Sequence, residues 1–478
     1  MRLRWGIAGA LRAAARCMVG VAVMMAAIPP AAAKDKRWDA ERAEAIARQL
    51  APVREAVVED YLRGDPDRAW SRLRGAVDET DWLAVLALGD HAWAFDPAQS
   101  LQWHRRAAAM SGDDPHALVE LALEYTRHEQ CAEAVAAWQK IDKAGLLHSH
   151  LPMVAGYCYL KLGQDAAAFA MIDRSRSRHG GLEQLLQELW GEPIALAVHA
   201  ERMQAFNQSG DVQALEAALA NAIRFDMGAD RGQALLVIAD AATRAPHSDL
   251  AGPLACLRPV FASEAGKAAG ADAGTQPASG QATTDRLRAL WKAQTAECKL
   301  SVDADPLPES AVLFEFLLVN ALNLEIATYQ DVLARQRDAL DQRARSTGGD
   351  LKALHVLAAL QDNLKDPALK DTDTLGWERY GAAEYAASRV RGEIVQGVLS
   401  EQGKVLLQRA YAQFPHDAGV LQLWLEYGAP ERDAARQGWR ELALLQFHAP
   451  SLQRENMHFT MVAMTLYRAL HRYRELSE

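Results

Sequence analysis

Four cysteines, one histidine pair and a few acid–histidine neighbours are the residues of this chain whose types and spacing can do chemistry. Cys131, Cys158, Cys256 and Cys298 follow a fifth, Cys17, that lies in the N-terminal segment. No two of them form C-x-x-C, and four cysteines allow three disulfide connectivities. His148 and His150, two apart, can chelate a metal as a pair, but two solvated loop histidines are the simpler reading. His128-Glu129 is followed by Gln130, Cys131 and Ala132, so it is no zinc-protease H-E-x-x-H. No G-x-S-x-G occurs, and Gly266-Lys267 lacks the Ser/Thr and upstream glycine of a phosphate-binding loop. Neither a catalytic site nor a metal or other cofactor is expected from these residues.

The chain of 478 residues is 50% apolar, rich in alanine and poor in period-2 alternation, which favours helix throughout. Residues 1–33 have the makeup of a cleavable export signal. Arg2, Arg4, Arg12 and Arg16 supply positive charge, Cys17–Ile28 is an apolar core, and Pro29 and Pro30 precede the small Ala31–Ala33. That core, from 17 to 28, is shorter than the roughly 20 residues that span a bilayer. A periplasmic location without stable membrane insertion is therefore expected, where cysteines meet an oxidising space. Without the four arginines the net charge falls from −10 to −14 (−10 − 4). So acidic a chain is a poor ligand for nucleic acid, whose binding rests on lysine and arginine at phosphates.

Pro115–Ser175 organises the rest. Tyr125 and Tyr159, Ala122 and Gly156, and Ala134 and Ala168 recur at one fixed step (159−125 = 156−122 = 168−134 = 34). Leu118, Leu121, Ala122 and Tyr125 share one helical face by their i, i+3, i+4, i+7 spacing. Trp138 fills a second stripe with Ala134 and Ile141, and Gly163 suits a helix C-terminus. A repeat of this length made of two helices reads as a solenoid unit.

These positions resemble the tetratricopeptide (TPR) repeat. The pattern departs from the family at Glu129, where the turn glycine is missing, and at Ile172, where the second-helix aromatic is missing. Trp103, Ala107, Ala108 and Gly112 resemble the ending of Sel-like repeats, and Ala410, Pro415 and Trp424 resemble a TPR junction. The resemblance implies an all-α solenoid of TPR-like hairpins in two blocks. The blocks are residues 34–261 and 285–478, joined by a flexible Ala/Gly/Ser/Thr linker at 262–284. Helices are expected at Asp39–Leu62, Leu182–Trp190, Leu351–Leu364, Trp377–Val390 and Asn456–Glu478. The repeat register pairs Cys131 with Cys158, and leaves Cys256 with Cys298 across the linker.

In the TPR family the inner face of the first helix lines a groove that holds a partner. Carried over by register, that row is His116, Thr126 and Arg127, then Tyr157 and Lys161, then Asn207 and Gln208. Arg127 and Lys161 repeat a cation at the same step (161−127), suited to an acidic side chain or a terminal carboxylate. The expected function is a non-catalytic envelope scaffold binding a protein or peptide. The alternative is an accessory or recognition subunit for enzymes of cell wall or exported polysaccharide. Glu309-Ser310 resembles the opening of a lytic-transglycosylase motif whose remainder is absent.

Overall fold

A computed structural model describes residues 39–478 except 93–96, 149–150, 176–185, 187–197, 225–229, 271–279, 301, 303–307, 309, 429, 453–458 and 478. The expected signal segment, 1–33, and all of the helix expected at 182–190 except Leu186, lie outside the described residues.

The described chain is an all-α array of hairpins, and its helix starts follow local chemistry. In α1 (Ala40–Leu62) the Asp39 carboxylate accepts from the Arg42 N–H at 3.0 Å. In α2 (Pro66–Gly75) Asp65 does the same for Arg68 at 3.1 Å, with proline at the first position where no N–H is needed. The hairpins continue as α3 (Trp82–Ala92) with α4 (Pro97–Ser111), α5 (Pro115–Arg127) with α6 (Cys131–Lys143), and α7 (Leu151–Lys161) with α8 (Asp165–Arg174). Then come α9 (198–209), α10 (Val212–Arg224) and α11 (Arg231–Ala242).

The repeating positions are where helices touch. Ala122, Ala134 and Ala168 are fully buried, and Trp138 beside them is 1% exposed. A Cβ on Gly156 would stand 3.1 Å from Ile172 Cγ1. Exposed ion pairs link successive hairpins, Lys140 to Asp113 at 2.7 Å and Arg174 to Asp142 at 2.6 Å. The first helix reaches far along the chain as well. His199 Nε2 is 3.2 Å from the Leu62 carbonyl, and Asn207 Nδ2 donates to the Arg63 carbonyl at 2.6 Å. Gly64 makes this docking possible: its φ is +76°, and a Cβ there would lie 2.5 Å from the Gln204 nitrogen.

Contacts group the chain into two compact units. One comprises residues up to Ala245 with Phe261–Gly280 and Pro450–Ala463; the other comprises Pro246–Val260, Gln281–Ala449 and Met464–Glu478. The linker expected at 262–284 is corrected in its described parts. Helix α12 (Ala251–Gly270) runs through its first half and α13 (Gly280–Glu297) begins before its end. Alanine is the best helix former, and here the helix is also anchored. Arg231 pairs with Glu264 at 3.0 Å, and Gly232 lets the backbone at Ala265 approach. Cys256 and Cys298 are joined, as expected, with Cα atoms 5.9 Å apart.

Cys131 and Cys158 are brought together with sulfurs 2.6 Å apart, but both are free thiols. The repeat register holds; the expected bond is not formed. Burial raises the pKa of the Cys158 thiol and keeps it protonated, which disfavours the thiolate that disulfide formation needs.

The second unit continues with α14 (Ala311–Asn323), α15 (Tyr329–Arg345) and α16 (Leu351–Leu364), the last capped by Asp350 as its sequence suggests. The single helix expected over Trp377–Val390 is two, α17 (Leu369–Tyr380) and α18 (Ala383–Arg391). Gly381, at φ +64°, turns the chain between them. A hairpin of β1 (Ile394–Val395) and β2 (Val398–Leu399) follows, turning through Gln396 and Gly397, both with positive φ. Four helices complete the chain: α19 (Glu401–Gln413), α20 (Ala418–Tyr427), α21 (Arg432–Leu452) and α22 (Phe459–Ser477).

The departure at Glu129 has a structural consequence. Glu129 takes φ +56°, the left-handed turn that Gly163 takes at φ +72° one unit later. A side chain there costs about 1–2 kcal/mol. We expect Glu129→Gly to stabilise the protein by up to about 1 kcal/mol, after the entropic penalty of an added glycine. Urea unfolding of the two proteins measures it.

Candidate functional site

A buried polar cluster of the first unit lies where α3, α4 and α5 meet. Gly89 on α3 precedes Ala122 by almost the repeat step (122−89 = 33), and the His104 ring of α4 fills the space beside it. A Cβ at 89 would come within 2.6 Å of His104 Cε1. Ser100 and His104 are one turn apart on α4, as Glu120 and Glu124 are on α5, so each pair faces the same way. Ser100, His104 and Glu124 are fully buried.

Each buried group has a partner. His104 Nδ1 lies 2.9 Å from the Ser100 carbonyl, to which it donates, and Nε2 lies 2.9 Å from Asp90 Oδ1. The Ser100 hydroxyl is 2.9 Å from both the Gly89 carbonyl and Glu124 Oε2. Arg127 pairs with the other Glu124 oxygen, and His128 Nε2 is 3.7 Å from Oε2. Burial opposes charge on His104. The hydrogen bond to Asp90 and the nearby Glu124, Asp90 and Glu120 carboxylates outweigh burial and raise its pKa to about 9. Burial, with Asp90 and Glu124 adding repulsion, raises that of Glu120 to about 7.

Ser100, His104 and Asp90 are the residue types of a hydrolytic triad, but the connections are those of a structural core. His104 Nδ1 is closer to the Ser100 carbonyl than to its hydroxyl, which is 3.4 Å away. The hydroxyl proton is directed at Gly89 or Glu124, and Ser100 is closed to solvent. Nothing in this arrangement activates Ser100 for attack.

The groove row predicted by register scatters. Thr126 and Tyr157 are core residues, 1% and 5% exposed, and Thr126 Oγ1 donates to the Ala122 carbonyl at 2.8 Å. Their positions fall on the helix face that packs, not on one that opens. His116 lies beside Asp114 at 3.3 Å, at the start of α5. Arg127 is bound to buried Glu124, and Lys161 pairs with Glu129 at 3.4 Å. Arg127 is therefore engaged in the interior, whereas Lys161 stays exposed in a surface ion pair. Gln208 is exposed.

Asn207 borders a concavity. It is a cleft of about 350 Å³ between the α1–α2 turn, α9 and α11. Arg63, Arg68 and Arg244 line it with Asp65 and Asp240, over Met203 and Val237. Arg244 donates to Asn207 Oδ1 at 2.7 Å and lies 5.1 Å from the centre of the Phe206 ring. Asp60 holds Arg68 and Arg72 at 3.4 and 2.5 Å.

Sequence reasoning missed both places. The cluster draws on three helices, so its members, at positions 90, 104 and 120, form no motif. The available signal was polar residues at one-turn spacing, Ser100 with His104 on α4 and Glu120 with Glu124 on α5.

No family model matches this sequence, and no curated protein does. Among solved structures the chain is similar to one described as "Structure of Naa15/Naa10 bound to HypK-THB". That likeness has 13% identity and a TM-score of 0.22, over 97% of this chain and 79% of that one. At that score it bears on neither fold nor function.

Two outcomes are expected. Gly89→Ala should destabilise the protein by about 1–3 kcal/mol, because the added methyl overpacks against the His104 ring; thermal unfolding reads it. His199 is buried, which lowers its pKa to about 4, so the fold favours its neutral form. Its contribution is complete above the unfolded value near 6.5 and is lost as pH falls towards 4, a loss of about 3 kcal/mol. Denaturant melts across that range should show a steeper loss for the native protein than for His199→Gln.

Proposed function

We propose that this protein is an exported, non-catalytic helical-repeat scaffold that holds a segment of a protein or peptide partner in the cleft beside Asn207. The carrying observation is the character of that cleft: arginines and aspartates around an apolar floor of Met203 and Val237. A peptide carries charges of both signs along an apolar-decorated backbone, and such a wall offers each a counterpart. Arg63, Arg68 and Arg244 are exposed, so their charge is accessible to a ligand. Export is supported by the arginine-led apolar segment at 1–33 and by the Cys256–Cys298 bond, since disulfides persist in oxidising compartments.

Arg127 is a poor probe of this reading. Removing it leaves Glu124 buried without its guanidinium, at a cost of about 3–5 kcal/mol. The exposed Gln208, next to the cleft, is the better one. A photo-crosslinking residue at Gln208 should trap a discrete envelope protein in cells, and the Arg63→Glu, Arg244→Glu double variant should abolish that product while the protein stays folded. An unchanged crosslink in the double variant, or crosslinks only within the chain, would reject the cleft as the binding site.

A further inference from the structure

Asp90, His104 and Glu120 come from three different helices, yet one ligand atom of each lies within 4.8 Å of the other two. Their arrangement has features that an ordinary buried ion pair does not need. His104 Nδ1 donates to the Ser100 carbonyl at 2.9 Å, which fixes the ring and directs Nε2 at the Asp90 carboxylate. A backbone carbonyl on the distal nitrogen is the support that metal-bound histidines have. His104 is closed to solvent, whereas the Asp90 side chain is 31% exposed, so the cluster has a route to water.

Glu124 lies beside the cluster and is itself paired with Arg127 and, at 3.7 Å, with His128, so its charge is met within the fold. We propose that Asp90, His104 and Glu120 form a binding site for a single divalent transition-metal cation, of which Zn²⁺ and Mn²⁺ are the type. One imidazole with two carboxylates is the donor set such ions share. Three protein ligands leave coordination positions for water or for a carboxylate from a bound partner. Bonds of about 2.0–2.2 Å place ligand atoms about 3–3.5 Å apart. The Asp90 oxygen, 2.9 Å from Nε2, therefore moves outward by a few tenths of an ångström to admit the ion, and the partly exposed Glu120 carboxylate closes on it.

The test uses the full chain, stripped with chelator and dialysed. Mn²⁺ is followed by its electron paramagnetic resonance, because its preference for oxygen donors keeps it off the chain's thiols. Zn²⁺ is then titrated by calorimetry in two buffers of different ionisation enthalpy. One Mn²⁺ should bind per chain, and Zn²⁺ binding should release protons. His104→Gln, Asp90→Asn and Glu120→Gln should each weaken binding tenfold or more, while Glu133→Gln, exposed on α6, leaves it unchanged. Glu120 is only half buried, so Glu120→Gln keeps the test available if the His104 variant unfolds; circular dichroism verifies its fold. Absence of stoichiometric Mn²⁺, or binding undiminished in folded Glu120→Gln, would overturn the site.

Discussion

A helical hairpin has two apolar faces and can bury only one of them in itself. Everything in this protein depends on how the second face is covered. In the first unit the next hairpin covers it, and the contact is made at small residues. Ala122, Ala134 and Ala168 are fully buried, and Gly156 lies close under Ile172. A larger side chain at any of them would push two helices apart, and the interior is packed too densely to absorb the change. The fixed period of the sequence is thus the trace in one dimension of a contact made in three.

The same constraint explains the polar cluster. Where the small position is Gly89, the neighbouring helix approaches closely enough for His104 to fill the gap with an imidazole. A buried imidazole must have both nitrogens satisfied, and the Ser100 carbonyl and Asp90 do this. Glu124 in turn is held by Ser100, Arg127 and His128. The network is closed on itself, which makes it rigid and also removes Arg127 from any role as a free cation.

Long-range docking distinguishes the first unit from a simple stack. The α1–α2 turn meets α9 through His199, Asn207 and the bare backbone of Gly64. This contact builds one side of the cleft beside Asn207. In a repeat array each unit need touch only its neighbours. Here elements far apart along the chain are joined, such as Leu62 and His199 at a separation of 137.

Sequence by itself determined the helical character, the caps at Asp39, Asp65 and Asp350, the left-handed turn at Gly163, and the repeat that brings Cys131 to Cys158. These are local rules or rules of fixed period, and they act within a few residues or within one repeat. Tertiary structure decided the rest. The stretch 262–270 reads as linker by composition but is helix, anchored where Glu264 meets Arg231, a partner distant in sequence. Thr126 and Tyr157 fit a groove register but lie in the core, since which helix face opens depends on the next hairpin and not on the helix itself. The metal-ligand types at Asp90, His104 and Glu120 acquire meaning only when three helices converge. No spacing along the chain encodes a distance between side chains on different helices.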